Sequence, residues 1–349
     1  MNNVNISLPF PESDISELIT DNEDNLNKIS DGTVLLTGGT GFIGKWFLSL
    51  FSKWNDIQDR KIQVWIPSRN PDRFLLENPH LNKPEFFFFK ADIRTLSLPE
   101  GPIKTVIHAA TDVGNSKKAS DFSTIFDVCV KGTSQLIEEI KGRGVERFLL
   151  LSSGAVYGRQ DPTLERLCED TPSSVDTTKA ESAYGEGKRV SEWLVSQAGR
   201  EQGFNVSIAR IFALLGPGIP LDGPFASGNF FRDILNKDEI IIEGDGTVLR
   251  SYLYITDTIT WLLTILTNIV KNKIYNIGST KEISIKELAI EIAHLSSRRI
   301  MVKTLKTSDS TKLAERYIPD IQNIIKIKLQ QKISLDEGLK RVYNWIVSN

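Results

Sequence analysis

The run Thr33-Val34-Leu35-Leu36-Thr37-Gly38-Gly39-Thr40-Gly41-Phe42-Ile43-Gly44 opens as a strand, turns on glycine and leads into an apolar helical stretch around Trp46–Phe51. Glycines at 38, 41 and 44 serve three needs: a tight strand-to-helix turn, close approach of the backbone to a pyrophosphate, and packing of the helix against the strand. The helix N-terminus behind the turn attracts the anion. Three glycines alone could be a structural turn, but a strand before them and a helix after them are the context that a dinucleotide site requires.

Outward from this run, short apolar or β-branched segments alternate with longer helical ones. The expected strands are Thr33–Leu36, Ile62–Pro67, Phe86–Lys90, Thr105–His108, Arg147–Leu151 and Ser207–Phe212, and helices are expected at Phe122–Ile140 and Ala183–Gln202. Such alternation predicts an α/β fold with a parallel sheet. Past Leu214 the rhythm gives way to Gly- and Pro-rich sequence, LLGPGIPLDGPFASGN, read as a long loop into a smaller second lobe. Residues 1–30 are polar and acidic, with Ile15, Leu18 and Ile19 spaced for one short amphipathic helix, and are read as an N-terminal arm.

Composition narrows the classes. A length of 349 residues suits about two domains. With 40% hydrophobic and 25% charged residues the chain can build a core. Its 42 Lys and Arg against 44 Asp and Glu give a net charge of -2, which offers no broad attraction for nucleic acid or an anionic membrane. Cys129 and Cys168 cannot make a disulfide framework, and His80, His108 and His294 are too scattered to suggest a metal site. The start MNNVNISLPFPESD lacks the marks of a signal peptide, and the longest apolar run, Trp261–Val270, is interrupted by Thr264, Thr267 and Asn268. A buried helix is expected there, and a cytoplasmic protein overall.

At the end of the second strand an acidic residue would favour NAD by bonding the ribose 2′-hydroxyl. The segment here is Ile66-Pro67-Ser68-Arg69-Asn70, and Ser68 with Arg69 suits a 2′-phosphate, which favours NADP over NAD. Asp92-Ile93 would flank the adenine. Tyr184 and Lys188 stand four residues apart on one helix face. A phenol on its own ionises only near about pH 10, and a neighbouring ammonium favours its anionic form. The strand Arg147–Leu151 runs into Ser152-Ser153-Gly154-Ala155-Val156-Tyr157-Gly158, where Ser153 can reach the reacting oxygen.

Together these motifs, with Val106-Ile107-His108-Ala109-Ala110, Arg210, Gly216-Pro217, Gly244-Asp245-Gly246 through Arg250 and Asp257, and Tyr275-Asn276-Ile277-Gly278, resemble an extended short-chain dehydrogenase/reductase of the NAD-dependent epimerase/dehydratase family. The resemblance covers about residues 32 to 345 and implies a Rossmann-like doubly wound parallel sheet with a smaller mixed α/β substrate-binding lobe. It places the cofactor domain in residues 31–212 with about 251–278, and the nucleotide-sugar lobe in about 213–250 with 279–349. It implies Tyr184, Lys188 and Ser153 as catalytic residues. Gly38, Thr40, Gly41, Phe42, Ile43, Gly44, Ser68, Arg69, Asp92, Ile93, Ala109, Ala110 and Thr111, with Tyr184 and Lys188, would hold the dinucleotide, and Ser153, Asn229 and Arg250 would contact a nucleoside-diphosphate sugar. A homodimer through the helices Phe122–Ile140 and Ala183–Gln202 is also implied.

Two departures shape the expected chemistry. Cys129 stands where many members carry Asn, and is read as a packed thiol. Gly154 and Ala155 stand where similar sugar 4,6-dehydratases carry an Asp-Glu acid/base pair. The expected activity is therefore that of an epimerase or 4-ketoreductase, ahead of a 4,6-dehydratase, a decarboxylase-type relative, a reductase of a non-sugar carbonyl, or a sensor without turnover.

Overall fold

The computed structural model describes residues 7–111, 122–267, 273–309, 311 and 313–348. Residues 1–6 of the expected arm and 268–270 of the apolar run lie outside the described residues.

Six strands, β1 (Thr33–Thr37), β2 (Gln63–Ser68), β3 (Phe86–Lys90), β4 (Thr105–His108), β5 (Arg147–Ser153) and β6 (Asn205–Ile211), join Lys273–Ile277 in one sheet. All pairings are parallel, and the order is Lys273–Ile277, β6, β5, β4, β1, β2, β3. The reversal of strand order beside β1 opens a crevice at the strands' carboxyl ends, where such folds bind ligands. Burial explains the apolar runs: β4 is buried throughout and β5 after its first residue, because helices cover both faces.

The expected strands match to within one or two residues. Two strands extend by two residues: β6 begins at Asn205, and β5 continues to Ser153 because Ser152 and Ser153 stay in register with Arg210 and Ile211 of β6. Helices α2 (Phe42–Ile57), α4 (Phe122–Glu139) and α5 (Ala183–Gln202) occupy the expected stretches, with α1 (Glu12–Ile29) before them and α3 (Pro71–Glu77) between β2 and β3. Gly203 ends α5 in the left-handed conformation, with φ 83.

The expected loop 214–229 needs correction at both ends. Leu214–Leu215 is a short strand paired with Leu253–Tyr254, and α6 begins at Ala226 and runs to Asn236. Burial of Phe230, Phe231 and Ile234 holds this helix, and the glycine and proline residues before it masked the apolar spacing. Helix α7 (Ile255–Thr267) is buried over nearly its whole length. The threonines that interrupt its apolar sequence bind α1: Asn22 donates to Thr260 at 2.9 Å, Asn25 donates to Thr264 at 3.1 Å, and Thr267 donates to Asn25 at 2.6 Å. No helix among the described residues is long and apolar enough to cross a membrane.

Outside the seven-stranded sheet, Glu239–Ile242 pairs with Met301–Thr304, while Leu249–Ser251 lies between Glu282–Ser284 and Arg316–Tyr317. The last of these strands brings a tyrosine to the site.

Candidate active site

A cavity of about 830 Å³ lies along the carboxyl ends of the strands. Gly38, at the end of β1, has φ 70, and a Cβ there would lie 2.5 Å from the Ala109 carbonyl carbon. A Cβ on Gly44 would lie 2.4 Å from the Gly38 oxygen, so these two glycines are demanded by the turn itself. Gly41 differs. Its Cβ would meet only the Gly38 oxygen at 3.3 Å, and it faces the cavity. The space beside it suits the close approach of a pyrophosphate, and the first amides of α2 point from the same place.

Every residue named for the dinucleotide lines this cavity: Gly38, Thr40, Gly41, Phe42, Ile43, Gly44, Ser68, Arg69, Asp92, Ile93, Ala109, Ala110, Thr111, Tyr184 and Lys188. Ser153 and Arg250 line it too. Asp92 is clamped by Arg94 through 2.9 Å and 2.6 Å bonds, which hold its carboxyl down at about 2; Arg69 is close enough to contribute to that shift. Asn229 is not among the lining residues. Its amide donates to the Gly223 carbonyl at 3.0 Å and its oxygen accepts from Arg232 at 3.4 Å, so it shapes the loop before α6.

Tyr184 opens α5, and Lys188 follows one turn later with its ammonium 6.0 Å from the Tyr184 ring centre. The Lys188 Nζ is buried and donates to the Leu151 carbonyl at 2.7 Å. At the tip of β5 the Ser153 Oγ accepts the Ala155 amide at 3.1 Å. Beneath these groups, His108 joins Thr37 at 2.7 Å to Thr133 of α4 at 3.0 Å. Burial, aided by the Lys188 charge, pushes His108 down to about 3, so it stays neutral. Cys129 is buried, and burial raises its thiol. It packs under Gly187, where a Cβ would come within 2.9 Å of it, as a packed thiol does.

Two residues escaped the sequence reading. Glu192 lies one further turn along α5 and forms a bidentate pair with Arg210 at 3.0 and 2.8 Å, while Ser152 donates to it at 2.6 Å. Arg210 also donates to Tyr157, whose hydroxyl donates to Asn276 at 2.7 Å. The signal was the continuation of the Tyr184/Lys188 spacing by four more residues. Tyr317 had no local signal. Its strand pairs it with Arg250, its ring packs on Phe212 with centroids 4.6 Å apart, and Ser153 lies close enough to its phenol to oppose the effect of burial on it. A Cβ on Gly154 would lie 2.3 Å from the Tyr317 oxygen, so a phenol occupies the space that a larger residue 154 would fill. Burial raises that phenol's pKa and keeps it protonated.

Arg250 bonds the Leu249 carbonyl at 3.0 Å and lies over the Tyr317 ring at 5.4 Å; among the described residues no carboxylate pairs with it. By contrast, Arg232 is taken up by Asp222 and Asp233. Among the described residues no group of three His, Cys, Asp or Glu side chains could hold a metal ion.

A parallel doubly wound sheet with a glycine turn, and a Tyr-x-x-x-Lys helix facing that turn across one cavity, defines an extended short-chain dehydrogenase/reductase. The chain belongs to the NAD dependent epimerase/dehydratase family, whose model matches residues 34–278. It is 29% identical to a putative UDP-glucose 4-epimerase of Methanocaldococcus jannaschii, over 90% of this chain and 99% of that one. It is 28% identical to UDP-glucuronic acid decarboxylase 6 of Arabidopsis thaliana, over 89% and 87%. Its fold is shared with a UDP-glucuronic acid 4-epimerase mutant from Bacillus cereus, in complex with UDP-4-deoxy-4-fluoro-glucuronic acid and NAD, at a TM-score of 0.75 and 23% identity over 90% of this chain and 99% of that one.

Proposed function

We propose that the protein transfers hydride at one carbon of a UDP-sugar, as a 4-epimerase or a 4-ketoreductase. The observation that carries this reading is the convergence of Ser153, Tyr184, Lys188 and Arg250 on one cavity in which positions 154 and 155 bear no carboxylate. The cavity fits a nicotinamide dinucleotide because Gly41 and the first turn of α2 leave room and donors for its pyrophosphate. When bound, that group gives or takes the hydride.

The chain's own residues move the proton and fix the substrate. Tyr184 takes the proton of the sugar hydroxyl on oxidation and returns it on reduction. Lys188, held by the Leu151 carbonyl, keeps two N–H donors for Tyr184 and a ribose. Ser153, whose oxygen is engaged by the Ala155 amide and whose hydroxyl neighbours the Tyr317 phenol, turns its hydrogen to the reacting oxygen when the sugar occupies the cavity. Elimination of water requires an acid and a base beside the sugar's C5 and C6, and Gly154 and Ala155 offer neither. A buried, protonated Tyr317 is no base either.

Arg250 supplies positive charge for the diphosphate. Arg250→Ala is expected to weaken UDP binding by roughly 10- to 100-fold, the worth of charge-assisted hydrogen bonds, and to leave dinucleotide affinity unchanged in calorimetric titrations. Equal UDP affinity in both proteins would remove Arg250 from the site.

Ser68 and Arg69 favour NADP, although the Bacillus cereus neighbour carries NAD and Asp92 sits near Arg69. Arg69→Ala should then cost NADP affinity about tenfold, as loss of one phosphate contact does, with NAD affinity kept. An equal loss for both dinucleotides would contradict a 2′-phosphate contact. The same proposal includes a homodimer through α4 and α5, a cytoplasmic setting, a cofactor region of residues 31–212 with about 251–278, and a sugar region of about 213–250 with 279–349.

A further inference from the structure

The family match begins at residue 34, and the segment ahead of it packs on α2 and on the loop that follows Pro217. Phe10, 8% exposed, stacks on Trp46 with centroids 4.1 Å apart and planes 6° from parallel. Trp46 belongs to α2, the helix whose first turn faces the cavity, and its indole N–H donates to the Pro217 carbonyl at 3.0 Å. The next residue, Gly218, has φ +81, and a Cβ on it would lie 2.7 Å from the Phe10 ring. From here the chain passes through Ile219, Pro220, Pro224 and Phe225, all on the cavity wall. The segment cannot simply slide away. Asp14 of α1 is buried and accepts from Tyr254 at 2.6 Å and from Arg341 at 2.7 Å, and the Trp345 indole donates to the Pro9 carbonyl at 3.1 Å.

We propose that Phe10 is a positioning residue for the nucleotide sugar: through Trp46 and Pro217 it clamps the loop 216–225 to the first turns of α2, so that the wall contacting the sugar nucleotide is set in place before that ligand arrives. This rests on the function proposed above. Phe10 touches no reacting atom. Its effect is preorganisation, which lowers the cost of ordering a loop upon binding, and it falls on the ligand that uses the loop. The dinucleotide uses the glycine turn, the strand ends and the first turn of α2, whereas Phe10 meets α2 only at Trp46, beyond that turn.

The test uses the full chain with Phe10→Ala, Phe10→Tyr and Trp46→Phe. Calorimetric titration with NAD, NADP, UDP and UDP-glucose, UDP-galactose and UDP-glucuronate reads each affinity separately. Phe10→Ala should weaken the UDP-sugars bound by the wild type about tenfold, the most that ordering one side chain on binding costs, and leave the dinucleotide bound as in the wild type. Phe10→Tyr, which keeps the stacked ring, should restore wild-type binding. Trp46→Phe, which keeps a ring but removes the bond to Pro217, should show the sugar-nucleotide loss without a dinucleotide loss. Unchanged UDP-sugar affinity in Phe10→Ala, or equal losses for dinucleotide and UDP-sugar, would overturn the positioning role alone. A wild type that binds a dinucleotide but neither UDP nor any UDP-sugar would overturn the proposed function, and this inference with it. Should Phe10→Ala fail to fold, the Trp46→Phe and wild-type titrations decide by the same comparison.

Discussion

Tyr184→Phe should lower turnover of an accepted UDP-sugar by about 100- to 10,000-fold, the range that a positioned acid/base contributes, while affinity for the dinucleotide and for UDP stays within a factor of two to three of the wild type. The substitution removes one oxygen and keeps the ring beside the Lys188 ammonium, 6.0 Å from its centre. Lys188 remains anchored on Leu151 and Ser153 remains anchored by Ala155, so the site keeps its shape and loses only its proton carrier. The rate at saturating substrate, measured by product analysis, checks this. A variant with wild-type turnover would show that the proton leaves by another route.

Glu192→Ala should have the largest effect on stability. The side chains of Glu192 and Arg210 are only 9% and 12% exposed, and the pair is bidentate. Removing one partner leaves a charge buried without its counterion, at a cost of about 3–5 kcal/mol. Arg210 keeps its bonds to Tyr157 and the Glu169 carbonyl, both neutral, and these do not replace a carboxylate. Ser152 loses its acceptor as well, and it adjoins Ser153 on β5. Urea unfolding of the two proteins reads the difference directly. A loss below about 1 kcal/mol, the scale of an exposed pair, would mean that water reaches the guanidinium. Truncation at 192 should also lower turnover beyond the fraction unfolded, since the tip of β5 carries Ser153.

Much of this was legible because the chemistry is local in sequence. The glycine turn, Ser153 and the Tyr184/Lys188 pair each sit within one strand end or one helical turn, where spacing translates directly into geometry. Parallel strands buried on both faces also announce themselves as unbroken apolar runs. Tyr317 is different: it reaches Ser153 and Gly154 only because Arg316–Tyr317 pairs with Leu249–Ser251, a long-range pairing between short strands without a periodic signal. The mistaken end of the loop at Ala226–Asn229 has a similar cause. Glycine and proline dominate the local pattern there, while three buried apolar side chains further along decide the helix. Ile15, Leu18 and Ile19 predict only one short amphipathic helix in the arm, yet α1 runs 18 residues, because Asn22 and Asn25 find partners on α7 more than two hundred residues away.

The proposed chemistry is hydride transfer without elimination. Its most direct test is to incubate the dinucleotide-supplied protein with UDP-hexoses and UDP-4-keto-hexoses and to analyse the products by mass spectrometry and NMR. The expected result is either a product of unchanged mass with inverted configuration at one ring carbon, or a 4-keto sugar that gains two hydrogens, in both cases dependent on Tyr184. A product lighter by one water, or no conversion of any UDP-sugar by a protein that binds them, would contradict it.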